Sequence, residues 1–243
     1  MLLNCIKAEF LKLKHTNLWI VLITLPLISA VIGGANFILN RQVLKLEWLS
    51  LWTQVSLFYG EFFFPILIAI VAAYMCRLEH LNNNWNLLLT NPVKKSYLYL
   101  GKLIVTCIQM FFVQFIFVAI YYLLGKLCGI NSPLPKQIFY FALNGFIAAI
   151  TISSIQLCLA CHIKSFAAPI GICLCLTFVG LACYVLKIGL LFPYSFLTIG
   201  MGVISQKSLT ATNSIIFMVM NLLATFIASL ITIKKLAKKD VIH

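Results

Sequence analysis

Acidic residues are almost absent from this chain of 243 residues. Aspartate and glutamate together number five, charged residues of both signs make up 9% of the sequence, and 63% is hydrophobic. Soluble domains are about 25% charged and about 45–50% apolar, so a soluble globule is excluded and lipid must be the solvent for most of the surface. The length therefore does not indicate two soluble domains of about 120 residues each.

The five acids are also too scattered to support catalysis. They are Glu9, Glu47, Glu61, Glu79 and Asp240, and no two of them belong to one acid–base motif. The four histidines are isolated near or beyond the ends of apolar runs, and no phosphate-binding loop of the type GxxxxGK[ST] occurs. We expect no catalytic residue and no cofactor on this chain, so any ATP that drives it must bind another polypeptide.

The nine cysteines do not indicate a disulfide framework, because six of them lie in or at the ends of apolar runs, where cysteine behaves as a small hydrophobe. Cys158, Cys161 and His162 form a CxxCH sequence, which is a spacing used for metal, redox and haem sites. No second cysteine pair or histidine cluster completes such a site. We therefore predict no metal or haem.

The net charge of +13 is distributed as short basic clusters between long uncharged runs, a pattern typical of membrane proteins and not of nucleic-acid binding. A crossing helix needs about 20 apolar residues, and six segments qualify, at about 18–39, 55–76, 103–124, 138–160, 167–187 and 213–233. An N-terminus inside the cell places twelve basic residues on the inner side and six on the outer side. The sequence thus predicts an all-α integral membrane protein with both ends in the cytoplasm.

The first 17 residues predict a helix that lies in the inner membrane interface. Leu3, Ile6, Phe10 and Leu13 recur at spacings of three and four residues, while the lysines fall elsewhere around the helix. A frayed basic N-terminus is the alternative.

The stretch 77–102 is the only sizeable inner loop. It is polar, yet it contains Trp85 and three consecutive leucines, and Pro92 ends any helix that precedes it. The pattern predicts a short helix around 79–89, and an apolar helix face exposed to the cytosol is typical of a docking element.

A new helix is predicted from about Lys94 into the third span. On the outer side, residues 188–212 link the fifth and sixth spans and include glycines, a proline and aromatic residues. This segment is either a re-entrant or surface-lying helix, or an ordinary loop.

Glu61 is the local signal of intramembrane charge, placed by these boundaries near the outer end of the second span. Charged residues within spans are costly and tend to be functional, so contact with a substrate or gating is one interpretation. A shallow position in interfacial water, or a helix-capping role, is the other. The first, third, fourth and sixth spans carry no charge in their central parts, which disfavours ion-driven transport.

Taken together, the segment IKAEFLKLKHTNLWI, the six spans and the large inner loop resemble the ABC-2 type permeases. The stretch NNNWNLLLTNPVKKSYLYLGKL is similar to the coupling segment of those permeases, which has a Trp/Leu-rich helix, then L-x-x-P-x-x-[KR], an aromatic residue and GK. The run YGEFFFPILIAIVAAYMCRLEHLNNNW resembles the lantibiotic-immunity permeases, which lack a fused ATPase.

The resemblance implies one permease domain over residues 1–243, paired with a second, related permease subunit. It implies that residues 79–91 dock on a separate ATP-binding cassette ATPase, present in two copies. The implied docking residues are Glu79, Trp85, Leu87, Leu88, Leu89 and Pro92.

The same resemblance implies that the second and fifth spans line the substrate path. On this hypothesis the path residues are Glu61, Phe62, Phe63 and Phe64. The cargo would be a cationic antimicrobial peptide, expelled from the plasma membrane of a Gram-positive bacterium that is thereby immune or resistant.

Three alternatives stand beside this hypothesis. The same architecture could export a different cargo, such as a drug, a bacitracin-like compound, a lipid or an endogenous peptide. A membrane scaffold or sensor subunit without transport is a second. An intramembrane enzyme is disfavoured, because the spans contain no paired aspartates, HExxH or Ser/Lys motif.

Overall fold

The computed structural model of the chain describes residues 1–14, 16–81, 85 and 93–238. Within these residues every regular element is helical, and six helices are long and apolar enough to cross a membrane. We number them spans 1 to 6: Leu18–Leu39, Glu47–His80, Lys95–Leu127, Lys136–His162, Ala167–Val185 and Ala211–Lys238. The prediction of an all-helical, six-span membrane protein is confirmed.

Span 2 begins at Glu47 instead of residue 55, which makes it a helix of 34 residues. Its first turns contain polar and amphipathic side chains that are buried in the protein. Ser50 Oγ accepts a hydrogen bond from the Leu46 N–H at 3.1 Å, and the Trp52 indole N–H donates to the Met201 carbonyl at 2.7 Å. Because these side chains have protein partners, the apolar run alone places the start of the span too late.

The other bounds differ less. Span 1 has the predicted bounds, and span 3 begins at Lys95, as expected for a helix that continues from the inner loop. Spans 4 and 6 both extend beyond their predicted bounds, span 6 chiefly at its inner end, and span 5 ends at Val185 instead of residue 187.

Span 2 is the centre of the bundle. In its most apolar window 67% of the residues are buried, against 22% in spans 5 and 6. The core of its outer half is aromatic, since the Trp52 ring lies 5.1–5.9 Å from the rings of Phe117, Tyr121 and Phe141. Span 2 is therefore fixed by its neighbours, whereas spans 5 and 6 present most of their surface to lipid or to a partner.

A π turn at Tyr59–Phe63 interrupts span 2 and divides it into Glu47–Phe58 and Phe64–His80. Pro65 follows directly and has no N–H to donate to the carbonyl of Glu61, and its ring would crowd that carbonyl in a regular α-helix. Such turns insert an extra residue and often occur at functional sites. The interruption thus has a local cause in the sequence.

The predicted N-terminal helix is present but spans Leu2–Leu13 and not the first 17 residues, and we call it the interfacial helix. Its buried residues are Glu9 and Leu13, while Leu3 is 71% and Phe10 is 38% exposed. Part of the predicted apolar face therefore points away from the protein, as expected for a helix whose apolar side rests on lipid, and the charged Glu9 points inward.

The outer segment between spans 5 and 6 folds back into the bundle. It contains two short 3₁₀ turns, Gly189–Leu191 and Pro193–Ser195, and a short helix, Phe196–Gly200, whose residues are largely buried. Gly180 of span 5 permits this entry, because a Cβ added there would lie 2.6 Å from the Tyr194 carbonyl carbon. Of the two predicted alternatives, the structure has the re-entrant one.

Candidate functional site

Four ionisable side chains from three helices meet where span 2 ends, and we call them the charge cluster. They are Glu9 and Lys12 of the interfacial helix, Glu79 of span 2 and Lys102 of span 3. Lys102 Nζ lies 3.0 Å from Glu9 Oε1 and 2.6 Å from Glu79 Oε1, and it donates to the Met75 carbonyl at 2.8 Å. Lys12 pairs with the same two carboxylates, so the formal charges cancel.

The charge cluster is shielded from solvent. Glu79 is 1%, Lys102 2% and Glu9 4% exposed, and only the Lys12 side chain keeps partial access. Buried charges are tolerated when they are paired and hydrogen-bonded, and removing one partner of a buried pair costs about 3–5 kcal/mol. Glu79 Oε2 has no hydrogen-bond partner among the described residues. This oxygen can therefore still accept a hydrogen bond.

Local sequence explains how the charge cluster assembles. Glu9 and Lys12 are three residues apart and therefore share one face of the interfacial helix. Gly101 lets that helix approach span 3, because a Cβ added there would lie 3.1 Å from Cys5 Cβ. In the Gly101-Lys102 dipeptide, the glycine thus permits the close contact between the interfacial helix and span 3. The ammonium group of the lysine stabilises that contact by pairing with Glu9.

Trp85 belongs to the inner loop, lies near the charge cluster and is 5% exposed. Its indole N–H donates to His80 Nδ1 at 3.2 Å, and His80 Nε2 lies 2.7 Å from the carbonyl of Ala160 in span 4. These two contacts are satisfied together by a neutral His80 that carries its proton on Nε2. Lys102 Nζ lies 6.0 Å from the centre of the Trp85 ring, so Trp85 connects the loop to the charge cluster.

The structure brings together two of the six predicted docking residues, Glu79 and Trp85, and buries both. Glu79 belongs to the last turn of span 2, which continues to His80, and not to a separate helix as predicted. The remaining four, Leu87, Leu88, Leu89 and Pro92, lie outside the described residues.

Sequence reasoning missed Glu9, Lys12 and Lys102 as site residues. A signal for Glu9 was present in the amphipathic pattern, because it lies four residues before Leu13 and so on the same face as that buried leucine. The pairing of Glu9 with Lys102, 93 residues apart, has no such local signal.

The CxxCH residues do not converge on one point in the structure, because Cys161 faces span 2 while Cys158 and His162 contact each other. Cys161 Sγ lies 3.5 Å from Cys76 Sγ of span 2, and both side chains are fully buried. His162 instead hydrogen-bonds through Nδ1 to the Cys158 carbonyl at 2.6 Å. Within the described part of the chain, no group of three metal-ligating residue types is close enough to hold a metal ion.

Glu61 lies in the π turn, in the middle of span 2. Fourteen residues, or about 21 Å, separate it from the first residue of the helix. Its side chain is 2% exposed and lies beside Thr198 of the re-entrant helix, and its Oε1 atom has no hydrogen-bond partner within the described residues. Glu61 is thus a carboxyl group held deep in the bundle, and such burial is costly for a carboxylate.

The three aromatic residues predicted beside Glu61 point in different directions. Phe64 is fully buried and stacks on Tyr59 with the ring centres 4.8 Å apart. Phe62 is half-buried, and its ring makes an edge-to-face contact with Phe178 of span 5, with the centres 5.8 Å apart. Phe63 is also half-buried. Only Phe62 and Phe63 therefore reach the surface of the bundle.

A narrow half-buried stripe continues from Phe62 along the inner half of span 2. It consists of Phe62, Ile66, Ile70 and Tyr74, spaced four residues apart on one helix face, while most residues between them are buried. Because Phe62 touches Phe178 of span 5, the stripe and that ring form one continuous apolar surface, which we call the span 2/5 surface.

Comparison with known proteins gives one finding. The family model described as ABC-2 family transporter protein matches residues 5–180, which include most of the interfacial helix, spans 1 to 4, most of span 5 and all four members of the charge cluster. No curated protein matches the chain.

Proposed function

Because the chain belongs to the ABC-2 transporter family, we propose that it is the permease subunit of an ATP-driven exporter whose ATPase is a separate polypeptide. Members of the family are membrane transport components, and this one is a multi-pass protein of the bacterial plasma membrane. The charge cluster carries the proposal, since it ties the interfacial helix to spans 2 and 3 at the base of the inner loop. Force applied to that loop would reach three helices together.

In this proposal residues 79–91 dock on the ATPase, and the docking residues divide into two roles. Glu79 and Trp85 are anchors, because both are buried against the spans. The three leucines at 87–89 and Pro92 are left to meet the ATPase. ATP-driven closure of two ATPase subunits would then push on the loop and, through Trp85 and Glu79, on span 2.

A second, related permease subunit is proposed to face the span 2/5 surface. This surface is largely apolar, and within the subunit its span 2 members are only half-buried while Phe178 is exposed. Span 5 also buries only 22% of its most apolar window in the chain itself, so most of its surface is available to a partner. The substrate path would run between the two subunits.

We propose a cationic amphipathic peptide of the lantibiotic type as cargo, expelled to the medium by a Gram-positive cell. The support is the similarity of residues 59–85 to the immunity permeases and the presence of Glu61 within span 2. A positive charge on the cargo would offset the cost of the Glu61 carboxylate in the bundle. Since Glu61 is buried and lies beside Thr198 of the re-entrant helix, the proposal requires that helix to move away from the π turn before Glu61 and the cargo can meet.

Co-purification tests the docking assignment. The chain, solubilised in detergent from cells that express its operon, should bring down an ATPase identifiable by mass spectrometry. Trp85→Ala and Leu88→Ala should each reduce the amount recovered. Trp19→Ala is the matched control, because Trp19 is 41% exposed at the start of span 1 and has no proposed contact with the ATPase. Undiminished recovery with both loop variants would overturn the assignment.

Stimulation of ATP hydrolysis tests the cargo. A lantibiotic added to the reconstituted complex should raise the rate, whereas a neutral peptide of the same length should not. If a drug or lipid stimulates and no peptide does, the architecture stands and the cargo is the alternative one. If no ATPase associates with the chain at all, the scaffold or sensor alternative is favoured.

A further inference from the structure

A cavity of about 440 Å³ opens at the end of the bundle opposite the charge cluster, between the end of span 5 and the start of span 6. We call it the outer cavity, because the distribution of basic residues places this end outside the cell. Its polar lining consists of Lys187, Ser205, Lys207, Ser208, Thr210 and Asn213.

The outer cavity is electropositive. Two lysines line it and no carboxylate does, and neither lysine forms an ion pair with another described residue. The N-terminus of span 6 reaches the cavity through Thr210 and Asn213. The Thr210 hydroxyl oxygen lies 3.4 Å from the backbone nitrogen of Asn213. The N–H groups of residues 211 and 212, in the first turn of the helix, lack intrahelical acceptors and add partial positive charge.

Lys187 occupies a backbone position at which a side chain is unfavourable. Lys187 has a φ of 61° and occupies the left-handed position that ends span 5. The Lys187 N–H bonds to the Tyr184 carbonyl and the Ile188 N–H to the Cys183 carbonyl, both at 3.0 Å. This pattern is the Schellman motif, in which glycine is the favoured residue because a Cβ is unfavourable there.

The remaining walls are apolar. Tyr184, Leu190, Ile199 and Leu209 contribute to them, and spans 5 and 6 are the least buried of the six. A ligand that combines a negative charge with an apolar portion would therefore match both parts of the lining. A small soluble anion would match the polar part alone.

We propose that the outer cavity binds a phosphate group, carried either by an anionic lipid of the outer leaflet or by soluble phosphate. Lys187 and Lys207 neutralise it, and the serine hydroxyls and the first turn of span 6 donate hydrogen bonds. The site does not depend on the proposed cargo. Ile199 lines the cavity and belongs to the re-entrant helix, as does the buried Gly200. A bound phosphate group would therefore also contact the helix that lies beside Glu61.

The test uses the purified full chain in neutral detergent and measures the rise in unfolding temperature with added ligand. The probes are phosphatidylglycerol, phosphatidylcholine with the same acyl chains, and sodium phosphate against sodium chloride at equal ionic strength. The double variant Lys187→Gln/Lys207→Gln is expected to weaken phosphatidylglycerol binding about 25-fold, since the loss of one direct contact to the phosphate group costs about fivefold. Lys45→Gln/Lys136→Gln, which removes two basic residues on the same side outside the cavity, should change it by less than about twofold.

Lys187→Gly provides a second test of ligand binding if the double variant folds poorly. Glycine relieves the left-handed backbone, so the unfolding temperature without ligand should rise while the phosphatidylglycerol effect shrinks. A preference for phosphatidylglycerol that is lost with the cavity variants supports a lipid site, and equal protection by sodium phosphate supports a soluble one. The proposal is overturned if neither probe protects, or if the control variant loses as much as the cavity variant.

Discussion

Lys102 Nζ lies 2.6 Å from a carboxylate oxygen of Glu79, and both side chains are almost completely shielded from solvent. The contact joins the end of span 2 to the beginning of span 3, on either side of the inner loop. Glu9 brings the interfacial helix into the same contact. The two ends of the loop are thereby held at a fixed separation whatever the loop itself contacts.

Replacement of Lys102 by methionine should be strongly destabilising. It leaves Glu9 and Glu79 buried with only Lys12 to pair with, and the loss of one partner from a buried pair costs about 3–5 kcal/mol. Thermal unfolding of the purified chain in detergent measures the loss. Lys7→Met is the control, because Lys7 is an exposed lysine of the interfacial helix; equal losses in the two variants would contradict the burial argument.

A double-mutant cycle distinguishes the interaction free energy between Glu79 and Lys102 from a general loss of stability. Glu79→Gln combined with Lys102→Met should cost less than the sum of the two single changes, because the second change removes a group that the first had already left unpaired. Simple additivity would show that the two side chains act independently.

Gly101→Val should separate the interfacial helix from span 3. The new side chain would meet Cys5 at about 3 Å, and overpacking of this kind costs about 1–3 kcal/mol. Gly171→Val in span 5 is the matched control, since no described atom lies within 4 Å of the position that its Cβ would take. Unfolding temperatures of the two variants give the comparison, and an equal fall in both would contradict the close contact.

Glu61→Gln should weaken the response to cationic peptides without loss of stability. The amide keeps the shape of the side chain and removes the charge, so the peptide concentration that half-stimulates ATP hydrolysis should rise about tenfold. The unfolding temperature should hold or increase, because a buried carboxyl without a full set of partners is costly. Glu47→Gln, an exposed acid at the start of the same helix, should leave the response unchanged; an unchanged response to Glu61→Gln itself would remove Glu61 from the substrate path.

Cys76 and Cys161 should form a disulfide when the membrane is treated with copper–phenanthroline under air. Their sulfur atoms are 3.5 Å apart, so closure to about 2.05 Å needs only a small shift. A variant that keeps these two of the nine cysteines should give the cross-linked peptide by mass spectrometry. A variant that keeps Cys76 and Cys158 should not, and cross-linking of that pair instead would show that span 4 is rotated relative to span 2.

The sequence was sufficient for the spans because a long uncharged apolar run is compatible with few structures besides a membrane-crossing helix. It was less reliable where side chains have protein partners: Ser50 and Trp52 shorten the apolar run of span 2 although both are buried. That error moved Glu61 from the middle of the helix toward its outer end. The sequence contains only one indirect indication of the π turn, which is Pro65.

The charge cluster was the larger omission, and its cause is sequence distance. The likeness of the inner loop to a coupling segment predicts Glu79 and Trp85, whereas nothing in the local sequence distinguishes Lys102 from the other inner-side lysines. Periodicity shows which face of one helix is apolar, but it does not show which faces of separate helices meet. Gly101 was part of a recognisable motif, and its role in admitting the interfacial helix required coordinates.

The π turn sets the rotational phase between the two halves of span 2. Trp52 fixes the outer half through the Met201 carbonyl, and Glu79 fixes the inner half through Lys102. One α-helical residue corresponds to about 100° of rotation, so a continuous α-helix without the extra residue could not satisfy both attachments at once. Relaxation of the π turn would therefore convert a local change of hydrogen bonding into a twist of the whole inner half, transmitting motion across the membrane as torque instead of as translation.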